Sequence, residues 1–151
     1  MRVVVCVLWA TLALAGCASR SVEVDTAGFE TRLSAVAGVN GALVEVRHPG
    51  LPTNTNVAIW LFLESADVES VATIARKVAD VARDDDGVRG RQVNLSVVKG
   101  KRADFPTRQE VVRSTVPVMH RVAEALGLPE SAGQKLVLTP EEIARLADSE
   151  G

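Results

Sequence analysis

Val57-Ala58-Ile59-Trp60-Leu61-Phe62-Leu63 is apolar at every position, short, and rich in residues that favour strands. It reads as a central strand covered on both faces, although periodicity by itself does not separate it from a buried helix segment. Outward on the N-terminal side, His48 to Asn56 (HPGLPTNTN) is dense in turn residues and forms a loop. Before that loop, Leu43 to Arg47 alternates, with Val44 and Val46 on one face and Glu45 and Arg47 on the other, the pattern of a half-buried strand. Further upstream, Phe29, Leu33 and Val36 share one face of a short helix that Thr26 can cap and Gly38 can end.

On the C-terminal side, Val71, Ile74, Ala75, Val78, Val81 and Ala82 recur at helical spacing, with Glu69, Arg76, Lys77 and Asp80 facing away. Asp67 or Ser65 can cap this helix, and Asp84-Asp85-Asp86-Gly87 ends it in a turn expected to be solvated. Gln92 to Val98 alternates again, which predicts a strand with Val93, Leu95 and Val97 inward and Gln92, Asn94 and Ser96 on a wet face. Thr107 and Glu110 form a capping box for a helix expected to run to Leu126, kinked or divided by Pro117. Leu136 to Leu138 reads as a short edge strand. Thr139-Pro140-Glu141-Glu142 caps a last helix near Ile143 to Ala147. The sum is an α+β fold: a small, largely antiparallel sheet of three to four strands with helices packed mainly on one face.

The N-terminus carries a different kind of signal. Met1-Arg2 precede the apolar run Val3 to Ala15, broken only by Thr11, and Leu14-Ala15-Gly16-Cys17 closes it. Thirteen residues fall short of the roughly 20 that span a bilayer but suit the core of a secretory signal. The four closing residues resemble the lipobox of bacterial lipoproteins (Leu-Ala/Ser-Gly/Ala-Cys) at every position. That resemblance implies cleavage between Gly16 and Cys17 and a diacylglyceryl group on the Cys17 thiol. It also implies attachment to the cell membrane on its extracytoplasmic face, with the membrane as partner through Cys17. The organisation expected is therefore a signal segment over 1–16, a lipidated cysteine and tether over 17–27, and one domain over 28–151.

Composition narrows the function. Removing Arg2 with the signal takes the 17 basic residues to 16 against 19 acidic, and the formal charge from −2 to −3. So balanced a chain lacks the basic face of a nucleic-acid binder. Cys6 leaves with the signal and Cys17 is acylated, so neither a disulfide nor a thiol nucleophile remains. With three Phe, two Trp and no Tyr, few rings are available for a carbohydrate platform. The chain contains no G-x-S-x-G elbow, H-E-x-x-H, C-x-x-C or P-loop, so no cofactor and no metal is expected.

A few residues stand as candidates. His48, beside the loop, can serve as a general base or a ligand, or simply occupy a turn. His120 has Glu124 four residues on, the spacing of a surface ion pair. The run beginning at Asp84 fails as a calcium loop because its twelfth position is Leu95, not glutamate. Lys99, Lys101 and Arg102, with Arg89 and Arg91 ahead of the strand, form a possible patch for anionic headgroups. From Thr26 to Val98 the order helix-strand-strand-helix-strand is similar to that of BON domains, envelope modules associated with membrane or partner binding. The expected function is a membrane-anchored binding or adaptor module that meets an envelope protein or lipid. The alternative is a small envelope hydrolase using carboxylates or His48.

Overall fold

A computed structural model describes residues 22–51, 54–131 and 133–149. The signal segment and its cleavage site at Gly16 and Cys17 lie outside the described residues, as does the first part of the expected tether. The elements are α1 (Thr26–Ser34), β1 (Val39–Arg47), β2 (Asn56–Leu63), α2 (Val68–Asp84), β3 (Gln92–Lys99), a 3₁₀ turn (Arg102–Asp104), α3 (Arg108–Arg113), α4 (Met119–Ala125), β4 (Leu136–Leu138) and α5 (Pro140–Asp148). The fold is α+β, and from α1 to β3 the element order is the one read from the sequence.

The sheet order is β1-β2-β3-β4. β1 and β2 form an antiparallel hairpin, and β3 and β4 also pair antiparallel. The middle pairing, β2 with β3, is parallel. A parallel neighbour needs a crossover, and the 17 residues of α2 provide it. The sheet is therefore mixed, antiparallel at its two outer pairings.

Side chains alternate across the sheet. One face of β2 presents Val57, Ile59, Leu61 and Leu63, all fully buried, against α1, α2, α4 and α5. Its other face presents Ala58, Trp60 and Phe62, which pack with Val98, Val111, Leu43 and Phe105. The Phe62 and Phe105 rings lie 5.7 Å apart and tilted by 34°. An all-apolar β2 follows directly from this double burial.

Four local readings are corrected. Asn94 and Ser96 of β3 are each only 8% exposed, so the expected wet face is covered. The chain around α3 and the loop before β4 close over it, and Gln92 donates to the Asn94 side-chain oxygen at 3.2 Å. Second, α1 is capped by Asp25, not Thr26, through a 3.0 Å bond from the Gly28 N–H. Third, the later part of the span expected as a tether, from Val22 to Ala27, is folded. Val24 is buried, and Arg91 donates to the Val22 carbonyl at 2.6 Å, so residues from Val22 onward lie on the domain. Fourth, the acidic turn is not uniformly solvated. Asp84 and Asp86 are exposed, but Asp85 is 5% exposed, accepts from the Val88 N–H at 2.8 Å and pairs with Arg32.

Pro117 divides the long helix into α3 and α4. It offers no N–H and disfavours helical geometry at Val116. The intervening residues are used by the sheet: Thr115 bridges Val98, and the Val116 N–H donates to the Val97 carbonyl at 2.8 Å. β4 pairs only with Val93 to Leu95, so this segment covers the rest of the β3 edge. Both capping boxes are present, at Thr107–Glu110 and Thr139–Glu142.

Candidate functional site

The face of the sheet opposite the main core is only partly roofed. The 3₁₀ turn and α3 cover its Phe62–Val98 end and stop short of the Arg47–Asn56 end. At that boundary lies a groove of about 340 Å³, lined by Arg47 (β1), Trp60 (β2), Ser96 (β3), Arg108 and Val112 (α3), Thr115, Gln134 and Lys135.

Strand register builds its floor. Leu43 lies opposite Trp60, and Trp60 is in register with Ser96, so the three share one face. Trp60 is 6% exposed. Two guanidinium groups lie over its indole, Arg47 at 5.2 Å and Arg108 at 5.8 Å from the ring centroid. Attraction between a cation and a ring face holds each near this orientation. Glu45 links the two. It accepts from Nη2 of Arg47 at 3.3 Å and from Nε of Arg108.

Arg108 is set by its helix start. Thr107 caps α3, and its backbone N–H, then its hydroxyl, hold the Glu110 carboxyl below its ordinary range. That box fixes the first turn, in which Arg108 is the first residue. The opposite wall carries Lys135, with Ser131 donating its hydroxyl to the Lys135 carbonyl and shaping the loop. The site thus combines three cations, one carboxylate, a buried indole and the hydroxyls of Ser96 and Thr115. Such a set can hold an anion; it contains no assembled nucleophile and base.

The residues singled out from the sequence fall elsewhere. His48 is exposed, and its Nδ1 lies 3.1 Å from the Thr55 hydroxyl; among the described residues no carboxylate bonds to it. His120 is exposed on α4. Lys99 and Lys101 are exposed at the end of β3. Arg102 turns inward instead: its guanidinium lies 5.8 Å from the Phe62 ring and donates to the Phe105 carbonyl at 2.5 Å. Arg89 and Arg91 sit at the opposite end of β3, where Arg89 pairs with Asp86 and Arg91 holds Val22. The structure does not bring these five cations into one patch, since a strand of this length separates them by roughly 25 Å.

Two further concavities flank α2. One of about 510 Å³ is lined by Thr73, Arg76, Leu126, Arg145, Leu146 and Ser149. The other, about 380 Å³, lies between α1 and α2 and mixes Arg32 with Asp80 and Asp84. Neither places an aromatic side chain among its lining. Among the described residues no three His, Cys, Asp or Glu side chains group to hold a metal ion, and no helix is long and apolar enough to cross a membrane.

The groove was not legible beforehand because its members come from five separate segments. Arg47 and Trp60 belong to strands whose pairing must be known before the two can be placed on one face. The chain matches no protein-family model, no curated protein and no solved structure.

Proposed function

We propose that this chain is a lipid-anchored binding module on the extracytoplasmic face of a cell membrane. The observation that carries the reading is Leu14-Ala15-Gly16-Cys17 at the end of the apolar run Val3 to Ala15. A cysteine in that place is a site for diacylglyceryl transfer. Each buried methylene contributes about 0.8 kcal/mol, and two chains give lasting attachment where one does not. On this reading the lipid sets location and the α+β domain meets the partner.

The groove around Trp60 supports a binding role, because Arg47, Arg108 and Lys135 converge on it. The hydrolase alternative draws no support from His48, whose recorded partner is the Thr55 hydroxyl.

Fractionation of cells expressing the wild type and Cys17→Ala tests the anchor. The wild type is expected in the membrane fraction with a mass increase matching a diacylglyceryl group, and Cys17→Ala in the soluble extracytoplasmic fraction. A signal-cleaved Cys17→Ala protein still wholly membrane-bound would refute it. Affinity capture from the same membranes then separates partners held by the domain, which both forms retain, from those lost with the lipid.

A further inference from the structure

We propose that the groove of Arg47, Trp60, Arg108 and Lys135 is a binding site for a phosphoryl group. This deepens the binding-module reading by naming the chemistry its groove takes.

Charge is the first argument. Three cations line the groove, and Glu45 offsets one, leaving a net charge of +2. A phosphate monoester carries about −1.5 to −2 at neutral pH, so it matches the groove where a single carboxylate would leave one cation unbalanced. Geometry is the second. Arginine presents a planar fork suited to oxyanions, and two forks held over one indole are already positioned. Glu45 occupies Nη2 of Arg47 and Nε of Arg108. Among the described residues the other guanidinium N–H groups of both arginines have no hydrogen-bond partner, and the Lys135 ammonium has no carboxylate. A phosphoryl group has enough oxygens to meet two forks, an ammonium and the Ser96 hydroxyl together. A carboxylate, with two oxygens, does not.

Placement is the third. Arg47 is in register with Asn56, and Asn56 with Gln92. Arg91, next to Gln92, holds the Val22 carbonyl. The chain from the N-terminus therefore reaches the sheet at the end where Arg47 stands. Five residues from Cys17 to Val22 extend at most about 18 Å. On the lipid-anchor reading, that length keeps this end of the sheet close to the headgroups. The phosphate monoester can belong to a lipid headgroup, as in phosphatidic acid, or to a free phosphoester.

The test uses the full chain carrying Trp9→Phe in maltoside micelles, which makes Trp60 the sole indole and places the reporter inside the groove. Inorganic phosphate, glycerol 3-phosphate and acetate are titrated at constant ionic strength. In parallel, the micelles are doped with phosphatidic acid, whose headgroup is a phosphate monoester, or with diacylglycerol of the same chains. The expected result is a saturable change in Trp60 emission with a phosphoryl compound, at least tenfold tighter than with acetate. Arg108→Gln and Lys135→Gln should each weaken it at least tenfold while leaving the circular dichroism and melting curve unchanged. A response to the free phosphates assigns a soluble phosphoester. A response to phosphatidic acid alone, absent with diacylglycerol and lost in both variants, assigns the headgroup. No saturable response, equal affinity for acetate, or binding retained in both variants would overturn the proposal. None of these outcomes bears on Cys17, whose fractionation stands or fails separately.

Discussion

Arg32 in α1 and Asp85 at the end of α2 form an ion pair across 53 positions of sequence, the aspartate side chain 6% exposed and the arginine 52%. The pair ties the first helix to the turn that closes the second. Asp85 also accepts the Val88 N–H, so one carboxylate serves both an ion pair and a turn. Removing the Asp85 side chain leaves the Val88 N–H only its longer 3.1 Å bond to the Asp85 carbonyl and takes the anion from Arg32, whereas removing Arg32 strands a buried charge. Asp85→Ala and Arg32→Ala should each destabilise the fold by about 2 kcal/mol. In a double-mutant cycle from urea unfolding, the coupling should be about 1–3 kcal/mol. Additivity of the two losses would show that the pair contributes nothing.

Acid should act through the cap of α2. Asp67 accepts from the Ser70 backbone N–H at 2.9 Å, and that bond, followed by those from the Ser70 and Ser65 hydroxyls, lowers its carboxyl from 3.8 to about 2. A carboxyl depressed in the folded state stabilises fully above its unfolded value, and that contribution is lost as pH falls through the folded one. The loss should therefore run from about pH 4 down to about pH 2. Asp67→Asn keeps an acceptor but has no charge to lose, so its melting temperature should fall less steeply across that window. An acid slope equal to that of the wild type would remove Asp67 from the account.

Gly41 stands where the β1–β2 register shifts, with φ of +142°, and a Cβ there would lie 2.8 Å from Cβ of Arg102. Both the backbone angle and the close approach of the 3₁₀ turn exclude a side chain. Gly41→Ala should lose about 1–3 kcal/mol by thermal or urea unfolding. Arg102→Gly in the same chain should recover the part due to the clash and leave the part due to φ. If Gly41→Ala melts like the wild type, the close approach is not a constraint.

The doubly covered strand makes a sharper demand on packing. Leu61 is fully buried in β2, and Leu61→Ala should lose about 2–5 kcal/mol. Leu51, 68% exposed in the loop after β1, is the control, and Leu51→Ala should stay within about 0.5 kcal/mol of the wild type. Similar losses at the two positions would contradict the burial described.

Much of the architecture was readable from neighbours in the chain. The helical spacing from Val71 to Ala82 produces a 17-residue helix with Val71, Ile74, Ala75, Val78 and Ala82 buried. Thr107–Glu110 and Thr139–Glu142 cap as their spacing requires, because a capping box closes within four residues. Pro117 breaks its helix for a reason local to one missing N–H. One failure was local, the α1 cap lying one residue earlier at Asp25, whereas at β3, the acidic turn and the groove a distant segment intervened. Alternation in Gln92 to Val98 shows which residues share a face but not whether something covers it, and the chain around α3 buries Asn94 and Ser96. Asp85 looks like its neighbours Asp84 and Asp86 until α1 brings Arg32 beside it. For the groove, Arg47, Trp60, Arg108 and Lys135 are unremarkable apart, and each is explained locally as a strand edge, a core ring, a helix start or a loop cation.

By itself, then, the sequence determined the class of fold, the two-faced burial of Val57 to Leu63, the starts of α2, α3 and α5, and the division at Pro117. These rest on periodicity, capping and backbone sterics, which act over a few residues. The tertiary structure alone decided the parallel pairing of β2 with β3, the burial of Asp85, and the meeting of two arginines over Trp60. Those depend on strand register and on which segments lie across the sheet, interactions between residues far apart in the chain that no local pattern encodes.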